Sequence, residues 1–163
     1  MKPFIAGTAA LLLSIVFYSF LHDFNLNRQA LEELKVVCEE ASAAGSLFID
    51  NEEYAEGKIV FNQIESVKAI EAVIIASLEL DSNMDPSVAT YWQKKITYKA
   101  YFIDDRATDY PYLYIDSDTG YTTLIKAPTV VVTINGGKGR YALPLLKNGS
   151  DNIRSGAHTW EDR

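Results

Sequence analysis

The sequence predicts an α+β protein: a long N-terminal transmembrane and amphipathic helix, further helices, and then an antiparallel β-meander sheet. Three observations support this prediction. Residues 4–21 form an uncharged apolar run, a helical spacing of apolar side chains continues beyond that run, and the period changes to two from residue 96 onwards. Helices in the first part of a chain and strands in the second are typical of an α+β domain.

The first helix is predicted over residues 3–46, because one seam of side chains continues from the apolar run into a polar stretch. The run of about 18 residues is at the short limit of what spans the hydrocarbon core of a bilayer. We expect residues 34–46 to pack into the core of the domain, and the inner part of the seam to contact lipid or another subunit. The seam has alternating spacings of three and four and consists of Phe17, Phe20, Phe24, Asn27, Leu31, Leu34, Cys38, Ala41 and Gly45.

Several seam positions carry interpretations of their own. Asn27 is either a polar register device in a coiled coil or an exposed residue on a lone helix. Cys38 is the only cysteine, which excludes an internal disulfide. It is either a small packing residue or one half of a disulfide between two parallel stalks. The small side chains at Cys38, Ala41 and Gly45 predict that another element approaches the helix closely there.

The apolar run is interpreted as an uncleaved membrane anchor. Four of residues 17–21 have large side chains, where a signal-peptide cleavage site needs small ones, and the aromatic residues suit a membrane–water interface. Lys2 precedes the run, and Arg28 is the first fixed positive charge after it, which favours an N-terminus inside the cell. The predicted division is an anchor and stalk helix over residues 1–46 and an extracytoplasmic α+β domain over residues 47–163.

Shorter helices are predicted after the first. Asp50 has the sequence pattern of an N-cap, and the short helix that it starts is interrupted by Gly57. Asn62 caps a longer helix over residues 63–80 with a broad apolar stripe. A loop over residues 81–86 and a helical turn over residues 87–92 follow.

The strands are predicted to form two hairpins and one strand before them. A period of two begins at Ile96, and turn sequences separate the later strands. Pro144 places the last strand at an edge, because proline has no N–H to donate to a neighbour. The polar segment 147–163 contains one large apolar residue, Trp160. The predicted strands cover residues 96–103, 112–116, 121–126, 129–135 and 140–146.

Charge and composition exclude some classes of function. The formal net charge is -7, and the longest basic cluster is the pair Lys94 and Lys95, so no nucleic-acid partner is expected. His22 and His158 are expected to be interface and surface residues, without the partners that a nucleophile and its base require. The sequence therefore predicts no catalytic residues, no cofactor and no enzymatic activity.

Acidic and aromatic clusters allow further interpretations. Residues 81–85 resemble a calcium loop but lack the turn glycine and the final acid of an EF-hand, and residues 116–120 fit a tight turn. Residues 104–109 form a third acidic patch, expected to be a solvated loop.

Tyrosines are concentrated in the strand region, either for cross-strand packing or as a surface for neighbouring subunits or a glycan. They are Tyr98, Tyr101, Tyr110, Tyr112, Tyr114 and Tyr121.

The layout resembles that of bacterial pilins and pseudopilins of the type IV filament and Tad classes. In that family a long N-terminal helix has an apolar first half, and its second half packs on an antiparallel sheet. The family's leader ends in a small residue, with glutamate at the fifth position after it; here Gly7 is the candidate processing residue and Leu12 stands at the fifth position. The resemblance implies a structural pilin-like or minor-pilin-like subunit that assembles through the seam over residues 17–45. The implied interface consists of Phe17, Phe20, Phe24, Asn27, Leu31, Leu34 and Cys38.

An alternative hypothesis is a single-pass accessory protein of a secretion, conjugation or envelope machine, which binds a protein or glycan through its tyrosine-rich sheet. Under the first hypothesis the partners are the membrane and other copies of this chain or related subunits. Under the second they are components of an envelope machine. Both hypotheses place the chain in a bacterial cell membrane with its domain outside, and the first allows a cell-surface filament.

Overall fold

Helices precede strands along this chain in the computed structural model, which describes residues 2–88, 90–117, 119–143 and 149–160. The α+β class predicted from the sequence is confirmed. The helices are α1 (Lys2–Ser46), α2 (Asn51–Ala55) and α3 (Gln63–Ser77). The strands are β1 (Thr97–Ile103), β2 (Tyr112–Ile115), β3 (Thr122–Ile125), β4 (Thr129–Asn135) and β5 (Ile153–Thr159).

The first helix is continuous over its 45 residues, as its seam predicts. Residues 4–18 are all exposed, whereas one side of the helix is buried from Asp23 onwards. The prediction that residues 34–46 pack into the domain is confirmed, and the packed part begins about three turns earlier than predicted. The buried residues are Asp23, Ala30, Leu34, Val37, Cys38, Ala41, Ser42, Gly45 and Ser46.

The predicted caps start both short helices. Asp50 Oδ1 accepts the backbone N–H of Glu52 at 3.0 Å at the start of α2, and Asn62 Oδ1 accepts that of Glu65 at 3.3 Å at the start of α3. Such caps satisfy backbone donors that have no partner within the helix. Among the described residues of 87–92, the predicted helical turn is a single turn, in which the N–H of Thr90 donates to Ser87 O, rather than a helix.

The strands form two antiparallel sheets. The first has the order β1-β4-β5, and the second is the hairpin β2-β3. The predicted single meander is therefore wrong in its connections, because the hairpin lies between β1 and β4 in the chain but outside their sheet. The register pairs Tyr101 with Val131 and Val132 with Gly156, so the apolar strand β4 is central.

The predicted last strand is wrong over residues 140–143, which form no strand. The remainder of that prediction, with Pro144, lies outside the described residues. Residues 153–159, predicted as a polar tail, pair with β4 instead. The backbone N–H groups of Ala142 and Leu143 donate to the Asp23 carboxylate, so they take no part in a strand ladder.

The first sheet has an apolar core on each face. Val130, Val132 and Ile134 face α1 and α3, where they join the larger core with Leu34 and Ile70. On the other face, Val131 packs with Ile103, Tyr114 and Ile125, so the hairpin covers that side. Because successive residues of a strand point to opposite faces, β4 is buried on both.

Candidate assembly and membrane-contact surface

The first three residues of the predicted interface lie outside the domain core. Phe17, Phe20 and Phe24 expose 63%, 42% and 57% of their surface. Within the described residues, α1 is the helix whose length and composition allow it to cross a membrane, and none of its most apolar window is buried. An exposed apolar surface of this size is typical of contact with lipid or with other helices.

The outer part of the predicted interface lies inside the chain's own core. Leu34 and Cys38 have no exposed surface, so they are not available on the outside of the folded domain. The Cys38 thiol donates to the carbonyl oxygen of Arg154 at 3.1 Å. Burial raises its pKa to about 12. This arrangement favours the packing interpretation of Cys38 over a disulfide between stalks.

Small residues on this stretch of α1 allow the close approach that the sequence predicts. A Cβ atom added to Gly45 would lie 2.7 Å from the Cδ1 atom of Ile70 in α3. A Cβ atom added to Gly156 in β5 would lie 2.6 Å from the carbonyl carbon of Cys38. Both distances are shorter than the contacts that real Cβ atoms make. The backbone of α1 at Gly45 therefore lies directly against the side chain of Ile70, and the backbone of β5 at Gly156 lies directly against that of Cys38.

Asn27 makes a contact within its own chain. Its Oδ1 atom accepts a hydrogen bond from the Tyr91 hydroxyl at 2.9 Å. The side chain is half-buried, so it is not a fully exposed residue of a lone helix, and its carbonyl oxygen has a partner within the chain. Tyr91 follows α3 and precedes β1, and the bond therefore fixes this connection to α1.

Asp23 is a structural residue that the sequence interpretation missed. It is 2% exposed, and its two carboxylate oxygens accept the backbone N–H groups of Ala142 and Leu143, each at 3.0 Å. Asp23 lies off the seam, on the polar side of α1, where an aspartate is expected to be exposed to solvent. Its partners lie about 120 positions further along the chain, so no local sequence pattern indicated this role.

Leu31 lines a groove beside the buried side of α1. The groove has a volume of about 520 Å³, and Phe24, Val36 and Arg154 also line it. Its charged side chains have partners: Arg28 pairs with Glu32 at 2.9 Å, and Lys35 Nζ donates to Ser155 O at 2.8 Å. The groove therefore presents apolar walls with a charged rim, to which Arg154 adds a positive charge.

The acidic clusters have structural partners in this fold. Asp81 Oδ1 accepts the backbone N–H groups of Asn83 and Asp85, and the hydrogen bonds from Asp85 and then Asn83 lower the pKa of this carboxyl. Asp104 is buried rather than solvated, and its Oδ2 atom accepts the N–H of Phe61 at 3.4 Å. Across the residues that the structure describes, no group of three or more His, Cys, Asp and Glu side chains is placed to hold a metal.

Most of the strand-region tyrosines point inward. Tyr114 is 7% exposed and lies between the rings of Tyr101 and Tyr121, at centroid distances of 5.5 and 6.5 Å. Tyr98 donates to Glu71 Oε1 at 2.8 Å. Burial, followed by this hydrogen bond, raises the pKa of Tyr98. Packing between the two sheets and against α3 therefore accounts for these residues, whereas Tyr112 exposes 43% of its surface.

The outer face of the hairpin is apolar and exposed instead. Leu113 lies opposite Leu124, and Ile115 lies on the same face two residues further along. They expose 55%, 53% and 61% of their surface, respectively. This patch lies on the far side of the sheet from α1.

No protein-family model, curated protein or solved structure matches this chain.

Proposed function

We propose that this chain is a membrane-anchored, pilin-like structural subunit that assembles with copies of itself or related subunits. The observation that carries the proposal is the division of α1. Its first half is apolar with no residue of its most apolar window buried, and its second half is the core helix of a sheet-bearing domain. A helix satisfies its own backbone hydrogen bonds, so an exposed apolar helix is stable in lipid or against other helices.

The assembly surface in this proposal is the exposed part of the seam, with Phe17, Phe20 and Phe24, and the groove that contains Leu31. In this proposal, Leu34 and Cys38 lie in the domain core beneath the assembly surface and make no contact with a neighbouring subunit. The absence of an acid at the fifth position after Gly7 points to a minor or divergent subunit. The charge difference across the apolar run supports a bacterial cell membrane with the domain outside the cytoplasm.

The proposal is tested by cysteine crosslinking in membranes, since the native Cys38 is buried and provides a silent background. Phe24→Cys is expected to form crosslinked dimers on oxidation. Gln29→Cys is the matched control, because Gln29 is exposed and lies about 140° around the helix from Phe24. Equal crosslinking at both positions, or none at Phe24→Cys, would contradict this assembly surface.

Electron microscopy of negatively stained full-length protein separates the filament version from other assemblies. Ordered filaments that contain the chain are expected if it is a major subunit. Leu31→Asp is expected to reduce assembly, because it places a charge on an apolar groove wall, whereas Gln29→Asp introduces the same charge at an exposed position and is expected to assemble normally.

A second candidate function is an accessory protein of an envelope machine. The exposed hairpin face of Leu113, Ile115 and Leu124 favours it, in place of the tyrosine-rich surface that the sequence suggests. A Leu113→Lys, Leu124→Lys variant is expected to lose a protein partner that the full-length wild type retains after detergent extraction. A partner retained equally by both proteins would contradict binding through this face.

A further inference from the structure

The domain contacts α1 immediately after the apolar run. Asp23 is two residues beyond Leu21, which corresponds to about 3 Å along the helix axis. The run itself is about 27 Å long and matches a hydrocarbon core of about 30 Å, beyond which each headgroup layer is roughly 5–8 Å thick. If residues 4–21 span the bilayer, the backbone of Ala142 and Leu143, which is hydrogen-bonded to Asp23, lies at headgroup depth.

Three basic side chains gather at this end of the domain. Lys138 and Arg140 are exposed on the segment that leads to residue 142. Arg140 Nη1 donates to Thr90 O at 3.3 Å, which holds the segment beside the connection that precedes β1. Lys94 belongs to that connection, and its Cβ atom lies 3.7 Å from a Cβ atom built on Gly137. We name Lys94, Lys138, Arg140, Ala142 and Leu143 the basal surface.

The charge of the basal surface is opposite to that of the chain as a whole, which is -7. Asp23, the acidic residue at its centre, has both carboxylate oxygens engaged by the backbone. Asp151 accepts from the side chain of Asn135 at 3.3 Å. Among the residues that the structure describes, no ion pair joins Lys94, Lys138 or Arg140 to a carboxylate.

Apolar surface accompanies these charges. Val88 exposes 98% of its surface and lines the same groove as Arg140. Ala142 is exposed and Leu143 is half-exposed. A surface that combines basic and apolar side chains at headgroup depth is typical of protein segments that bind anionic lipids, because long basic side chains reach phosphate while apolar ones insert at the interface.

We propose that the basal surface binds the anionic headgroups of the membrane in which α1 is anchored, and so seats the domain directly on the bilayer. This inference rests on the membrane anchoring in the proposed function and is independent of assembly between subunits. The occupant is lipid rather than a protein, because the surface is continuous with the membrane span and its charge is complementary to anionic lipid.

The test uses full-length protein reconstituted into phosphatidylcholine vesicles with or without phosphatidylglycerol. A fluorophore on Ala142→Cys is expected to be quenched by lipid that carries a spin label on its headgroup, and more strongly when phosphatidylglycerol is present. A fluorophore on Glu56→Cys, an exposed residue at the opposite end of the domain, is expected to show little quenching. Equal quenching at residue 142 in both lipid mixtures would overturn the proposal.

Matched charge variants identify the residues responsible. A Lys94→Ser, Lys138→Ser, Arg140→Ser variant is expected to lose the dependence on phosphatidylglycerol. A Lys58→Ser, Lys68→Ser, Lys126→Ser variant removes the same charge from exposed lysines elsewhere and is expected to retain it. The altered side chains are exposed, and unchanged thermal unfolding verifies that each variant is folded. Loss in both variants, or in neither, would overturn the assignment.

A third label separates this inference from the anchoring on which it depends. A fluorophore on Leu12→Cys is expected to be quenched by lipid with a spin label on its acyl chain. No quenching there would overturn the anchor and the basal surface together. Quenching at residue 12 without headgroup contact at residue 142 would overturn only the basal surface, and crosslinking of residue 142 to a protein in native membranes would assign that surface to a protein partner instead.

Discussion

Gly156 in β5 lies against the backbone of Cys38 in α1, so closely that a Cβ atom on residue 156 would stand 2.6 Å from the Cys38 carbonyl carbon and 2.7 Å from its oxygen. The atoms that it would meet belong to helix backbone, which has no rotamer to change. Glycine is required here for space, and the register of β5 on α1 depends on it.

We expect Gly156→Ala to lower the free energy of unfolding by about 1–3 kcal/mol, the usual cost of overpacking. Denaturant unfolding in detergent, followed by tryptophan fluorescence, measures this change. Gly7→Ala is the control, because a Cβ atom there would have no neighbour within 4 Å. Equal midpoints for the two variants would show that β5 does not lie this close to α1.

Asp23→Ala is expected to release the segment that contains Ala142 and Leu143. Two partly buried hydrogen bonds to a carboxylate would be lost, and a hydrogen bond to a charged group contributes about 1.5–3 kcal/mol at most when it is shielded from water. Asp23→Asn keeps one acceptor oxygen and is expected to have a smaller effect. Hydrogen exchange at the amides of residues 142 and 143 measures the release, and unchanged exchange in Asp23→Ala would argue against the contact. Asp109→Ala, at an exposed position, serves as the control.

Cys38 is expected to resist thiol reagents at pH 8 in the folded protein and to react once the protein is unfolded. Burial raises its pKa from the ordinary value of 9.0 to about 12. The native state therefore holds the proton more tightly than the unfolded state, and this contribution to stability is complete below pH 9 and is lost as the pH rises towards 12. Rapid labelling under native conditions would contradict the burial of Cys38.

The pH dependence provides a second check on Cys38. Cys38→Ala removes the titrating thiol, so its stability should fall less steeply than that of the wild type between pH 9 and 11. Chemical unfolding at several pH values measures both slopes. Parallel slopes would show that the thiol titrates alike in the folded and unfolded states.

A fragment of residues 22–163 is expected to fold, and a fragment of residues 47–163 is not. The shorter fragment lacks the α1 residues that fill the larger core, including Leu34, Val37 and Ala41. Leu34 and Val37 each contribute about 1.5–3 kcal/mol, and removal of α1 also exposes the apolar side chains of α3 and β4 that it covers, so the total loss is comparable with the usual stability of a domain. Near-UV circular dichroism and thermal unfolding compare the two, and a cooperative transition in the shorter fragment would contradict the prediction.

The helices and the first four strands were predictable because each carries a local signal. The seam and the caps at Asp50 and Asn62 act within a few residues, alternation marks β1, and turn sequences mark β2 to β4. The last strand, β5, carries no apolar alternation: Gly156 leaves room for the backbone of α1, whereas Ala157 packs with Val131 on the other face of the sheet. Its identity depends on a contact between residues more than 100 positions apart, which no local pattern encodes.

The candidate site was predictable to a similar extent. Phe17, Phe20 and Phe24 are exposed, as a lipid or subunit surface requires, and among the described residues the burial of α1 begins at Asp23. The roles of Asp23 and Asn27 were not predictable, since each depends on a partner supplied by a distant loop. The sequence indicates that both are polar, and it does not indicate that their polar atoms are already occupied.

The continuity of α1 has a mechanical consequence. In the proposed membrane-anchored form, the helix that would span the bilayer is also the core helix of the domain, and α1 has no break between its apolar part and Asp23. Transmembrane helices commonly tilt by about 20° from the membrane normal. A tilt of α1 would rotate the domain through the same angle. A force applied to the domain would in turn exert a torque on the apolar part of α1.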